Sequence, residues 1–273
     1  MNNFETLSRI EQHTFPGARS RYAELPQIPQ SDVIWMTSKD ADGDWINGVF
    51  AKGSNDTCVL HFYGNHESLR SSQYMIDRLR NQGNSVLMFD YRGYGASEGK
   101  PREAAFYSDA ELAYDWLLER YPDKKVVVSG WFVGSAVAIH LAQVRPVEAA
   151  ILFAAPTNMI DVVSHIFPKD EIIIEEGMPF RFDNLERIRK LRCPILMVHG
   201  VDDPVVPYTM STRLEAAVRS PLSRIDVPYA GHQDLFVKGG EKLWHLIEEF
   251  LDGVLRTEKQ AKTATKDGVS NFL

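Results

Sequence analysis

Six short strand-length runs, the first five apolar, each separated from the next by turns and a helix-length or longer segment, constrain this chain more than any other feature. They lie at residues 58–62, 85–89, 125–129, 149–153, 195–199 and 224–227. Runs that are apolar on both faces suit strands buried on both sides, which is what a largely parallel sheet covered by helices requires. The opening differs: residues 33–36 and 45–51, joined through Lys39-Asp40-Ala41-Asp42-Gly43-Asp44, predict a leading antiparallel hairpin. The fold class expected is therefore α/β, with about eight strands in one mostly parallel sheet.

The segments between the runs have helical periodicity. Phe106, Ala110, Ala113 and Leu117 are spaced to form one apolar stripe, and Leu243, Leu246, Ile247 and Phe250 form another. These stripes read as core. Residues 1–30 read as a helical or irregular lead-in, and 31–255 as one domain. A longer insertion at about 156–183, with Met159, Ile160, Ile166, Phe167, Met178 and Phe180, reads as a small cap over the carboxyl edge of the sheet. Asp170, Glu171, Glu175 and Glu176 read as its solvated face. The polar, aperiodic stretch 256–273 reads as a flexible tail.

Composition excludes several functions. Thirty basic against thirty-seven acidic residues give a net charge of −7, so nothing attracts nucleic acid or an anionic membrane surface. The most apolar stretch, 126–142, is broken by Ser129, Gly130, Gly134, Ser135 and His140, so no membrane span is expected. Residues 1–11 carry Glu5, Arg9 and Glu11 and no apolar core, which makes a cytoplasmic location the default expectation. Cys58 and Cys193 read as reduced core thiols. The eight histidines show no metal-ligand spacing, so neither a metal nor another cofactor is expected. Gly93-Tyr94-Gly95 is not a dinucleotide loop, because Glu98 stands where the third glycine belongs.

The most telling segment is residues 125–138. It reads as a buried strand, a turn flanked by Gly130 and Gly134, and a helix. That is the nucleophile-elbow pattern Gly-X-Ser-X-Gly with Phe132 where serine belongs. A bulky residue there is expected either to hold a strained positive φ or to relax the turn.

Four segments in order resemble the α/β-hydrolase superfamily, in its serine-aminopeptidase, esterase and lipase-like branch. His61-Phe62-Tyr63-Gly64-Asn65-His66 is similar to the His-Gly-Asn turn after the third strand, with Tyr63 at the histidine position. Asp90-Tyr91-Arg92-Gly93-Tyr94-Gly95-Ala96-Ser97 matches the branch's Asp-X-Arg-Gly-X-Gly-X-Ser loop, and the altered elbow is the third segment. The fourth is a pair, His199-Gly200-Val201-Asp202-Asp203 and Gly231-His232. The resemblance implies Asp203 as triad acid, His232 as base and Phe132 at the nucleophile position. It also implies an oxyanion hole from the backbone N–H groups of Val133 and of the 63–66 turn, at Asn65. Tyr63, Trp131, Met159 and Ile160 are the expected pocket residues.

No hydroxyl at residue 132 means no acylation by the usual route. Ser135, about one helical turn on, is expected to bond a backbone carbonyl, and Ser129 ends the strand. Arg92 reads as a structural ion-pair or hydrogen-bond partner for the elbow region. Three functions stay open. The chain is an impaired hydrolase or pseudoenzyme binding a small apolar ligand with a carbonyl group. Alternatively, His232 and Asp203 act as a general base in lyase or cofactor-free oxygenase chemistry. Or Phe132 is a one-base change in an active serine hydrolase. The sequence sets no oligomeric state.

Overall fold

The structure is a computed structural model that describes Glu5, Phe15 and residues 31–38, 43–170, 174 and 176–269; for 31–32, 170 and 256–269 it describes the backbone alone. The expected lead-in at 1–30, the middle of the hairpin connection and part of the cap's acidic face therefore lie outside the described residues.

Eight strands form one sheet: β1 (Ser31–Thr37), β2 (Trp45–Ala51), β3 (Thr57–Phe62), β4 (Ser85–Phe89), β5 (Lys125–Trp131), β6 (Ala149–Phe153), β7 (Ile195–Gly200) and β8 (Leu222–Val227). Their spatial order is β1-β2-β4-β3-β5-β6-β7-β8, with β1 and β2 antiparallel and the other six parallel. Every residue of β3, β4, β6 and β7 is buried, as strands covered on both faces must be. β8 at the edge is only partly buried.

The helices are α1 (Gln73–Asn81), α2 (Glu103–Arg120), α3 (Val133–Val144), α4 (Met159–Ile166), α5 (Asn184–Ile188), α6 (Tyr208–Ala217) and α7 (Leu235–Val269). In α2 the stripe Phe106, Ala110, Ala113 and Leu117 is wholly buried, as its spacing predicts. α7 contains a non-helical Gly240 and then runs unbroken to Val269. The stretch read as a flexible tail from 256 is thus helical in backbone through 269.

Crossing β4 over to the far side of β3 puts β3 between β4 and β5. The end of β3 then lies beside the end of β5, with Phe62 in register with Gly130. The turns after β3, β5, β7 and β8 all open on one edge of the sheet. In open α/β sheets, that carboxyl edge is where ligands bind.

Candidate active site

The turn after β5 keeps its strain. Phe132 has φ 52° and ψ −112°, a region that costs a bulky residue on the order of 1–3 kcal/mol. Packing on both sides enforces it. A Cβ on Gly134 would stand 2.0 Å from the Phe62 carbonyl oxygen, and one on Gly130 would stand 2.1 Å from that of Gly134. Strand, turn and helix therefore approach too closely for any side chain at either glycine. The Phe132 N–H donates to Phe153 O at 2.9 Å, which ties the turn to β6. Ser135 Oγ donates to Phe132 O at 2.5 Å, the backbone bond its position predicts. Ser129 Oγ pairs with His61 Nδ1 at 2.9 Å, inside the sheet. Burial pushes the His61 imidazole down to about 3.

Across the edge, the loops after β7 and β8 bring Asp203 and His232 together. His232 Nδ1 donates to Asp203 Oδ2 at 2.8 Å. The other carboxylate oxygen, Oδ1, accepts the N–H groups of Val205 and Val206, both at 2.8 Å. Burial pushes the Asp203 carboxyl up, but the His232 bond and charge and those two N–H groups more than offset it, so it lies below the usual range. Asp234 Oδ1 receives the Gly231 N–H and so shapes the turn that presents His232. The Phe132 ring meets the His232 imidazole edge-on, with centroids 5.1 Å apart and planes at 85°. Phe132 is 3% exposed, and its ring is packed against the His232 imidazole. Val133 begins α3, where backbone N–H groups have no intrahelical acceptor.

The third edge of the site is the turn after β3. Asn65 is buried there, and Glu67 Oε2 accepts the Gly64 N–H at 2.6 Å. Tyr63 does not line the pocket, contrary to expectation. Its side chain is fully buried, its hydroxyl donates to Asp90 Oδ1 at 3.0 Å, and it accepts the Tyr91 N–H. Asp90 also accepts from Leu69 N, Asn47 Nδ2 and Ala96 N, and so gathers the motif loop around one carboxylate. A Cβ on Gly95 would fall 2.1 Å from Asp90 Oδ2, which explains that glycine. Arg92 turns away from the elbow: its guanidinium binds both oxygens of Asp109 on α2 and also Ser108 Oγ, so it anchors the loop to that helix.

Two cavities flank His232. The first, about 260 Å³, is lined by Asn65, His66, Phe132, His232 and Gln233 together with apolar side chains of α4 and its surroundings. Those are Met159, Val162, Val163, Ile166, Phe167 and Val205. α4 starts where Asn158 caps it by accepting the Asp161 N–H at 2.7 Å, and this turns Met159, Val162, Val163 and Ile166 to one side. Of the two cap residues expected in the pocket, Met159 lines it and Ile160 packs against the core instead. The second cavity, about 230 Å³, is lined by Gly64, Asn65, His66, Glu67, Trp131, His232, Gln233 and Phe236. Trp131 therefore faces this second space. Sequence reasoning put Ile166 and Phe167 in the cap without assigning them to the pocket and missed Glu67, Val162, Val163, Val205 and Phe236; the α4 residues alone left a signal, their helical spacing after a capping asparagine. Among the described residues, no three His, Cys, Asp or Glu side chains converge as a metal site needs.

An eight-stranded, mostly parallel sheet with a strained strand-turn-helix, and an Asp–His pair at the same edge, defines an α/β hydrolase. The chain belongs to that superfamily. Residues 53–170 match the family model described as serine aminopeptidase, S33. An uncharacterized protein of Mycobacterium tuberculosis is 32% identical over 234 residues, which cover 82% of this chain and 83% of that protein. The lysophosphatidylserine lipase ABHD12 of Mus musculus is 28% identical over 255 residues, covering 84% of this chain but only 63% of the lipase. Among solved structures, an esterase of Pyrococcus furiosus superposes with a TM-score of 0.67 at 21% identity, covering 81% of this chain and 92% of that one. An α/β hydrolase of Vibrio vulnificus reaches 0.68 at 16% identity, over 88% and 92% of the two chains. At such identities these two structures speak for the fold alone.

Proposed function

We propose that this chain descends from ester or amide hydrolases, no longer forms an acyl-enzyme, and binds a small apolar ligand carrying a carbonyl group. The observation that carries this reading is Phe132: a benzyl ring, packed against the base His232, stands where the fold presents its attacking hydroxyl. A serine hydrolase stripped of its nucleophile loses on the order of 10⁶ in turnover. In this reading the ring also takes up volume beside His232 that a substrate carbonyl would need. The apolar lining of the first cavity fits a hydrocarbon group, and the name of the mouse relative, a lipase, agrees with an ester-bearing ligand. In this reading the protein acts in the cytoplasm.

The test uses a fluorophosphonate probe. Wild-type protein stays unlabelled, and Phe132→Ser gains labelling and activity on short p-nitrophenyl esters. Labelling of any serine in the wild type overturns the proposal.

A second reading is favoured by the complete hydrogen bonding of the Asp203–His232 pair, which suits a general base. His232 would then take a proton from carbon or from water while the Val133 N–H stabilises the developing oxyanion. Such an activity disappears in His232→Ala and needs no hydroxyl at residue 132. A metabolite screen without a His232-dependent turnover removes this reading.

A further inference from the structure

The second cavity holds a carboxylate that neither reading uses. Glu67 Oε2 is taken by the Gly64 N–H, while Oε1 has no protein partner among the described residues. The group is half-buried, and an ideal Cβ on Gly64 would lie 3.3 Å from Glu67 Oε2 and 2.8 Å from Trp131 Cδ1, so carboxylate and indole pack over the same glycine. Phe236 continues the aromatic wall, its ring centroid 5.1 Å from that of Trp131. A cavity of about 230 Å³ has room for several waters or for an ammonium group.

We infer that this cavity is a subsite for a cationic group, an ammonium held by the Glu67 carboxylate against the faces of Trp131 and Phe236. Three observations converge on that chemistry. A half-buried carboxylate lines the cavity with one oxygen uncommitted; burial pushes its carboxyl up, while the Gly64 N–H and the His232 charge oppose this, and among the described residues no lysine or arginine lines the cavity to pair with it. Aromatic faces attract cations and repel anions. The two cavities also share Asn65, His66, His232 and Gln233, so one molecule can lie in both, its hydrocarbon part against α4 and its cation at Glu67. The ligand class is an ammonium-bearing amphiphile whose middle passes His232. This rests on the cavity at His232 being a ligand site, as proposed above.

The experiment is calorimetric titration of the full chain with hexyltrimethylammonium, hexan-1-ol and hexanoate. In the wild type the ammonium binds about tenfold tighter than the alcohol, and hexanoate binds weakest. Glu67→Gln keeps an acceptor for the Gly64 N–H but removes the charge. It brings the ammonium to within about twofold of the alcohol, whose own affinity holds. Trp131→Leu, a second and independent variant, lowers the ammonium preference by about threefold. Hexanoate binding as tightly as the ammonium, a preference that survives Glu67→Gln, or no binding of any of the three overturns the inference. Failure of the nucleophile-free reading shows elsewhere, as fluorophosphonate labelling of the wild type, and leaves the order of the three ligands intact.

Discussion

The two halves of the site have fared differently. On the β7–β8 side, backbone and side chains agree: Asp203 has a partner on both oxygens, and His232 is oriented by it. On the β5 side, the backbone keeps the sharp turn of a nucleophile elbow while the side chain at its apex is a hydrocarbon ring. The difference teaches that the turn's geometry does not depend on the residue it displays. Gly130, Gly134 and the N–H bond to Phe153 hold the strained φ whatever sits at 132. A side chain without a nucleophilic atom can stand at the apex while the chain keeps the path of the turn.

Phe132→Ser tests that separation most severely. If the turn is independent of its side chain, serine enters a site already built, and ester turnover rises by at least about 10³-fold over wild type in a spectrophotometric assay. No gain would mean that the two halves have drifted out of register. Next comes Gly134→Ala, which pushes a methyl group into the Phe62 carbonyl. It should cost at least about 3 kcal/mol in urea unfolding, because backbone cannot step aside as a flexible side chain can. A small cost would break the claim that packing enforces the turn.

Asp203→Asn probes the other half. At neutral pH it should cost about 2 kcal/mol, the value of a buried charge-assisted bond to His232. The sign of its pH dependence follows from Asp203 titrating lower in the folded protein than its ordinary 3.8. That stability is complete above the unfolded value and is lost as pH falls through the folded one, so wild type and variant converge in acid. Convergence at neutral pH instead would show that the carboxylate is merely tolerated. The smallest effect is expected one residue before the elbow glycine, where Ser129→Ala leaves His61 Nδ1 without its partner at a cost of about 1 kcal/mol, with the turn itself unchanged by spectroscopy.

Much of this was legible in the sequence because burial on both faces leaves a plain mark: the apolar runs give the five parallel strands β3 to β7, while residues 224–227 give β8 at the partly buried edge and residues 45–51 give β2. The exchange of β3 and β4 in the sheet left no mark, since periodicity identifies a strand without ordering it among its neighbours. Asp203 and His232 could be placed because the segments His199-Gly200-Val201-Asp202-Asp203 and Gly231-His232 resemble those of the superfamily, which implies their roles. Tyr63 and Ile160 could not, because on a turn or at a helix's first residues only packing decides whether a side chain faces ligand or core. Glu67 was invisible for the same reason: an acidic residue after Gly-Asn-His reads as a solvated turn until the indole of Trp131 is seen above it. The helical run beyond residue 256 defied composition, which carries no apolar stripe there to announce a helix.

Trp131 has one more consequence. Its indole lies 5.7 Å from the His232 imidazole and 5.1 Å from Phe236, which in turn stacks on Trp244 at 5.1 Å. Trp131 thus meets His232 directly, and Trp244 lies two rings further out, beyond Phe236. The protein carries its own optical gauge: Trp131 emission should report the filling of the space beside His232.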